Sequence, residues 1–418
     1  MLRERLHRIV LNVLYYNSLL VGLLPAPLDR GTQAFRSSRF YLIHTVFAHS
    51  FCVLVTTYAG YYYYNHGFLT RDPVLQWTYS VTYLTKNLLV VVLVKELWCK
   101  RKRTMAVYLD YWLQEMGLEA SLAAIAGLNE EVTGNQTPLQ HNRDPQRHIE
   151  NLIIFKFFLA YSLVVMNAYY FLNQHPGTDA TYLPITCISF GLNTFVLTLS
   201  GLFYCVLSQL YRQFSQINIQ LCLVLEQLRR QSSEAAEVQT ALASRINSLG
   251  MLHLAGYRLT QEIFAIGELT LAALLLRLLA ANMRTVYGAC YFLSKRETEN
   301  LWSQAEEILF TTLFFSDTAM VMSMLNAVLS ECNGAGKLLR EYTEFMDVKG
   351  CDCLRKALDA FSTHLGCHKL RYMVCGLFEF NKMASLQFFL TILVKVTVLV
   401  QFDMQNKLRN NRNDINVV

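Results

Sequence analysis

Seven stretches of this chain are long enough, and free enough of charge, to cross a lipid bilayer as helices. They run at about Phe40–Tyr62, Pro73–Val94, Leu152–Leu172, Tyr182–Leu207, Ile263–Phe292, Ile308–Leu329 and Met383–Phe402. A helix of about 20 residues spans the hydrocarbon core, and inside it every backbone polar group must be satisfied within the segment. The expected fold class is therefore all-α and integral to the membrane. Composition agrees: charged residues are 16% of the 418-residue chain, against about 25% in a soluble domain.

Seven spans place the two termini on opposite sides, and the positive residues choose between them. With the N-terminus inside, segments 1–39, 95–150, 208–262 and 330–370 hold 24 Lys and Arg. The outside segments 63–72, 173–181, 293–307 and 403–418 hold 6. The expected topology is N-in and C-out, the reverse of a G-protein-coupled receptor. The sequon at Asn135 then lies inside and stays unglycosylated. The expected organisation is an interfacial N-terminal segment (1–39) and six spans with cytoplasmic helical extensions (40–329). Cytoplasmic anchor helices (330–382) and a last helix with a short external tail (383–418) follow.

The long inner loops carry helical periodicity. The fourth helix is expected to continue from Ser208 to Arg230, with Leu221, Val224, Leu225 and Leu228 on one face. Gln231, Ser232 and Ser233 end that pattern. Leu358, Phe361 and Leu365 form a second stripe. Amphipathic helices outside a bilayer need a surface to cover them, so a helical bundle is expected there, within one subunit or between subunits. Asn135 to Gln146 reads as a flexible loop.

Several function classes drop out. The basic run Lys100–Arg103 directly follows an apolar segment and reads as a cytoplasmic stop, so no nucleic acid is expected as partner. Cys351, Cys353, Cys367 and His368 lack standard zinc spacing, so free thiols and no metal are expected. Cys187 and Cys290 lie near outer helix ends, where a bridge between them is conceivable. The basic-then-apolar N-terminus lacks a good small-residue cleavage site and runs into Pro25 and Pro27, so it reads as retained. No nucleophile–base constellation marks an enzyme, no cofactor motif is present, and no repeated halves mark a transporter.

The C-terminus carries a more specific pattern. Insect gustatory receptors end their last helix with TYhhhhhQF, where h is apolar. Val396 to Val400 followed by Gln401 and Phe402 resembles this motif, with Val394 and Lys395 in place of Thr-Tyr. Gly376-Leu377-Phe378-Glu379-Phe380-Asn381 resembles the family's G-x-F-x-hydrophobic-N stretch. Leu14-Tyr15-Tyr16 with Gly22-Leu23-Leu24-Pro25 looks like the start of its fly branch. The resemblance implies a subunit of a homo- or hetero-tetrameric, ligand-gated, nonselective cation channel, similar to insect odorant receptors and opened by small-molecule tastants. It implies a place in the plasma membrane of gustatory sensory neurons, with membrane lipid around it. It also implies a pore lined by the last helix, with Gln401, Phe402, Lys395 and Val398 as pore and gate residues. Without the resemblance, Gln401 reads as an interfacial cap and Phe402 as part of an aromatic belt.

Lys395 lies seven residues before Phe402, on nearly the same helix face. Four such cations around a pore would oppose cation passage, making this a modulatory, non-conducting subunit. The alternatives are pairing with Asp317, a neutral amine, or a lysine at a wet helix interface. Candidate ligand-binding residues are Trp77, Tyr83, Tyr169, Tyr170, Phe190, Asn193, Thr312 and Phe315, aromatic walls with a few polar groups. For Arg277 and Arg284 the readings are an anion site, contact with lipid headgroups, or pairing with the intramembrane acids Asp317 or Glu268, and pairing is expected. A seven-span receptor coupled to a G protein remains the competing class.

Overall fold

The computed structural model describes residues 2–24, 26–29, 34–35, 39–65, 73–111, 113–114, 117, 143–174, 182–230, 236–294, 301–345 and 352–415. The Asn135 sequon lies outside them, as do Gln231, Ser232 and Ser233, expected to break the fourth helix.

Helices dominate. They are α1 (Leu2–Leu20), α2 (Arg39–Asn65), α3 (Pro73–Cys99), α4 (Arg143–Gln174) and α5 (Tyr182–Arg230), then α6 (Ala236–Ile266), α7 (Glu268–Ser294), α8 (Leu301–Phe345), α9 (Asp352–Cys367) and α10 (Lys382–Ile415). Seven of them are long and apolar enough to cross a membrane: α2, α3, α4, α5, α7, α8 and α10. The seven expected spans are all found. The loop expected to reach Gln146 ends sooner, because α4 starts at Arg143 with Pro145 in its first turn, where a missing N–H costs nothing.

α5 has 49 residues and α8 has 45. At 1.5 Å per residue they are about 70 Å long, more than twice the ~30 Å of a bilayer core. Their excess lengths form a bundle with α6 and α9. Leu221, Val224, Leu225 and Leu228 of α5 are buried there with Leu358, Phe361 and Leu365 of α9, as the stripes required. α6 supplies Leu242, Ile246 and Leu249 to the same core, and α8 supplies Leu339. α8 runs unbroken across residue 330, so the spans and the anchor helices share one continuous rod.

α6 is the element the periodicity left unassigned. It fills the inner segment expected between the fourth and fifth spans, and at Gly267 the chain passes directly into α7. The fifth span therefore begins at Glu268, five residues later than expected, with its acid in the first turn, where the helix dipole favours it.

His253, midway along α6, is buried against α8, and its Nε2 donates to the Cys332 carbonyl at 2.9 Å. Loss of water lowers its pKa to about 4, with a smaller lowering from His364 and an opposing rise from the backbone bond. Above pH 6.5 the imidazole is neutral in both folded and unfolded chains. Between pH 6.5 and 4 the unfolded chain takes up the proton first, so folding weakens as pH falls. About 3 kcal/mol is lost across that window. Thermal unfolding between pH 7.5 and 4.5 checks this, and a flat profile contradicts it.

Two short hairpins join the helices. β1 (Leu28–Asp29) pairs with β2 (Ala34–Phe35), and β3 (Met373–Val374) with β4 (Phe378–Glu379), both antiparallel. In the second, Cys375 and Gly376 both take positive φ, at 49° and 69°, and the Leu377 N–H closes the turn on the Val374 carbonyl at 2.9 Å. Glycine meets that geometry without a Cβ penalty. Asn381 then caps α10, its Oδ1 accepting the Ala384 N–H at 2.9 Å. The Gly376-to-Asn381 stretch thus supplies the turn and the cap that lead into α10.

Candidate functional site

α10 is the most apolar of the seven spans and the least covered. Of its membrane window 11% is buried, against 56% for α5 and α7. It packs chiefly on α7, with lesser contacts to α3 and α8. Among its described side chains only Ile392, Val396 and Asp403 are buried. The remaining surface divides in two. Gln387, Thr391, Lys395, Val398 and Phe402 are all exposed and recur at intervals of four, four, three and four, which is one side of a helix. Leu386, Leu390 and Leu393 form a purely apolar flank. Gln401 is exposed and lies between the two. Lys395 makes no ion pair with any described residue, so its pairing with Asp317 does not occur.

Asp317 is held elsewhere. Lys156 of α4 places its Nζ 2.5 Å from Asp317 Oδ1 and 3.3 Å from Ser200 Oγ, with both charged side chains almost fully buried. This corrects the expectation that Arg277 or Arg284 would neutralise Asp317 or Glu268. Asp317 faces α4, whereas the two arginines sit over aromatic rings. Arg277 is 5.9 Å from the Phe314 centroid and Arg284 is 4.7 Å from that of Tyr79. Glu268 is accounted for by its place in the first turn of α7.

The candidate ligand residues separate into groups. Tyr83 and Asn193 come together around Lys86, a buried lysine in the middle of α3. Its Nζ donates to Asn193 Oδ1 at 2.7 Å and lies 5.6 Å from the Tyr83 ring. Phe315 meets Phe389 at 4.7 Å, joining the wall of the bundle to α10. Trp77, Tyr169 and Thr312 are exposed on the surface of the single chain. The side chains of Tyr170, Phe190 and Cys187 lie outside the described residues. Cys290, Cys353 and Cys367 form no disulfide among the described residues, Cys351 lies outside them, and no metal-binding cluster occurs among those described. Lys86 went unassigned in the sequence, although a lone cation at the centre of an apolar span was its visible signal.

Seven spans, a helical bundle beyond them and a loosely held last helix define a multi-pass membrane protein. A family model for the 7tm Chemosensory receptor matches residues 11–406, and the chain belongs to that family. Its relatives include two Drosophila melanogaster proteins named as candidate gustatory receptors, 58a and 58b. The first is 26% identical over 95% of this chain and 98% of its own length. The second is 26% identical over 100% of this chain and 96% of its own. The fold is shared with the insect olfactory receptor OR5 from Machilis hrabei. Its eugenol complex aligns with a TM-score of 0.63 and 11% identity over 95% of this chain and 99% of that one. A second structure of the same receptor gives 0.57 and 13% over 94% and 98%. The resemblance read from the C-terminal motif is thereby borne out at the level of family and fold.

Proposed function

We propose that the protein is a subunit of a tastant-gated, nonselective cation channel in the plasma membrane of gustatory neurons, assembled as a homo- or hetero-tetramer around α10. The observation that carries this reading is the surface of α10. A span that is most apolar yet least covered needs further partners. The polar members of its exposed stripe, Gln387, Thr391 and Lys395, need water. A central pore between copies supplies water to the stripe and protein or lipid to the leucine flank. In that pore Phe402 closes the path by excluding water, Gln401 offers an amide oxygen to a passing ion, and Val398 lines the wall below them. Phe315 against Phe389 connects the ligand wall to the gate helix. Small-molecule recognition is supported by the shared fold with a receptor whose structure contains eugenol.

One observation favours a second reading, a modulatory subunit that conducts poorly alone. Lys395 stands on the polar stripe, unpaired among the described residues.

An epitope tag fused after Val418 tests the orientation. Antibody is expected to label intact cells, as a C-out topology requires. Labelling only after permeabilisation, with surface expression confirmed separately, would overturn the pore assignment and restore the G-protein-coupled alternative. Tastant-evoked whole-cell currents then test gating.

A further inference from the structure

We propose that the middle of the helix bundle binds a diffusible small anion, held by Lys86, Arg277 and Arg284. The inference rests on the ligand-gated reading above and names the chemical class of the ligand.

Lys86 and Arg277 are 3% and 7% exposed. Thr82 meets the Ala280 carbonyl at 3.4 Å, which sets α3 against α7 at this level, with Lys86 one turn from Thr82, Arg277 one turn from Ala280, and Arg284 over the Tyr79 ring of the same α3. Among the described residues no carboxylate forms an ion pair with any of them, and Asp317 is committed to Lys156. Buried charges in a membrane ordinarily carry a partner.

Hydrogen bonding gives the same answer independently. Nε and Nη1 of Arg277, and Nε of Arg284, are buried with no acceptor among the described residues. A guanidinium has donors and no acceptor capacity, so what is missing must accept. The rings of Phe314 and Tyr79 offer π-faces to the two guanidinium groups but no acceptor for these N–H groups. For Lys86 the acceptor is the neutral Asn193 amide, which does nothing to balance three positive charges.

A carboxylate fits what is left. Its two oxygens accept from a guanidinium in a paired geometry, and the flanking aromatic rings suit an apolar body. Lys86 is near the centre of the 27-residue α3, about 20 Å from either end. Lipid headgroups sit at the interfaces, so this depth favours an anion that enters the bundle, whether an organic acid or chloride.

The test uses the purified full-length protein in phosphatidylcholine nanodiscs and reads its thermal unfolding. The probes are sodium benzoate, its neutral isostere benzamide, and sodium chloride exchanged for gluconate. Benzoate is expected to raise Tm saturably and benzamide not at all. Arg277→Gln is expected to weaken benzoate about tenfold, the loss of a charge-assisted hydrogen bond, and to raise Tm without anion by relieving repulsion. Lys86→Met carries the same expectation and serves if the first variant fails to fold. A saturable chloride shift, lost in both variants, supports the site with an inorganic occupant. Equal shifts from benzoate and benzamide, no shift from either anion, or unchanged benzoate affinity in the variants overturns it. Patch-clamp recording separates the two claims. Anion-dependent stabilisation without current keeps the site and sinks the channel. Current evoked by neutral compounds, with no anion effect on Tm, keeps the channel and sinks the site.

Discussion

Replacing Lys156 by Met is expected to cost about 3–5 kcal/mol, because it leaves Asp317 charged and buried without a partner. The pair is 2.5 Å long and both side chains are almost fully excluded from solvent. In water an exposed pair is worth little, since solvent replaces either partner. Here no solvent replaces Lys156, and Ser200 shares the same ammonium. The loss should appear as a lower Tm in detergent and less receptor at the cell surface. The double variant Lys156→Met with Asp317→Leu should recover most of it, because removing both charges also removes the desolvation cost. If the double variant is as unstable as the single one, packing rather than charge holds α4 against α8.

Replacing Lys395 by Tyr is expected to raise cation conductance at least tenfold. A cation passing four lysines at about 6 Å in a wet pore meets roughly 0.7 kcal/mol from each, or about 3 kcal/mol in all before salt screening. Each 1.4 kcal/mol is a factor of ten. Single-channel recording at low and high ionic strength checks the size and the origin of the effect. The difference between Lys395 and Tyr should shrink as salt rises. Unchanged conductance and selectivity would remove Lys395 from the pore wall. A Tyr variant that conducts where the native chain does not would identify the native chain as a modulatory subunit.

Much of this architecture was legible in the chain. All seven expected spans have helices, and the stripes Leu221–Leu228 and Leu358–Leu365 are buried together. The Gly376-to-Asn381 stretch was legible as a motif but not as a mechanism. Its turn and helix cap emerge only with φ angles and a hydrogen bond. α6 was missed because its 31 residues mix apolar and polar positions, and its partners lie far away in α5, α8 and α9.

The candidate site was less legible. Tyr83 and Asn193 were named for their residue types, yet what unites them is Lys86. Arg277 and Arg284 were matched to Asp317 or Glu268 because the acids were otherwise unexplained within the spans. Sequence separation says nothing about which helix faces turn toward each other, and Asp317 turned to α4 instead.

The sequence by itself determined the class of fold. Length and apolarity admit only helices across a bilayer, and local hydrogen bonding makes each helix a property of its own segment. It also determined that the last apolar stretch closes on Gln401 and Phe402, with a lysine seven residues before the phenylalanine. Only the tertiary structure decided which cations are neutralised. Partnership between charges depends on how helices rotate against one another, and that rotation is fixed by packing summed over the whole bundle.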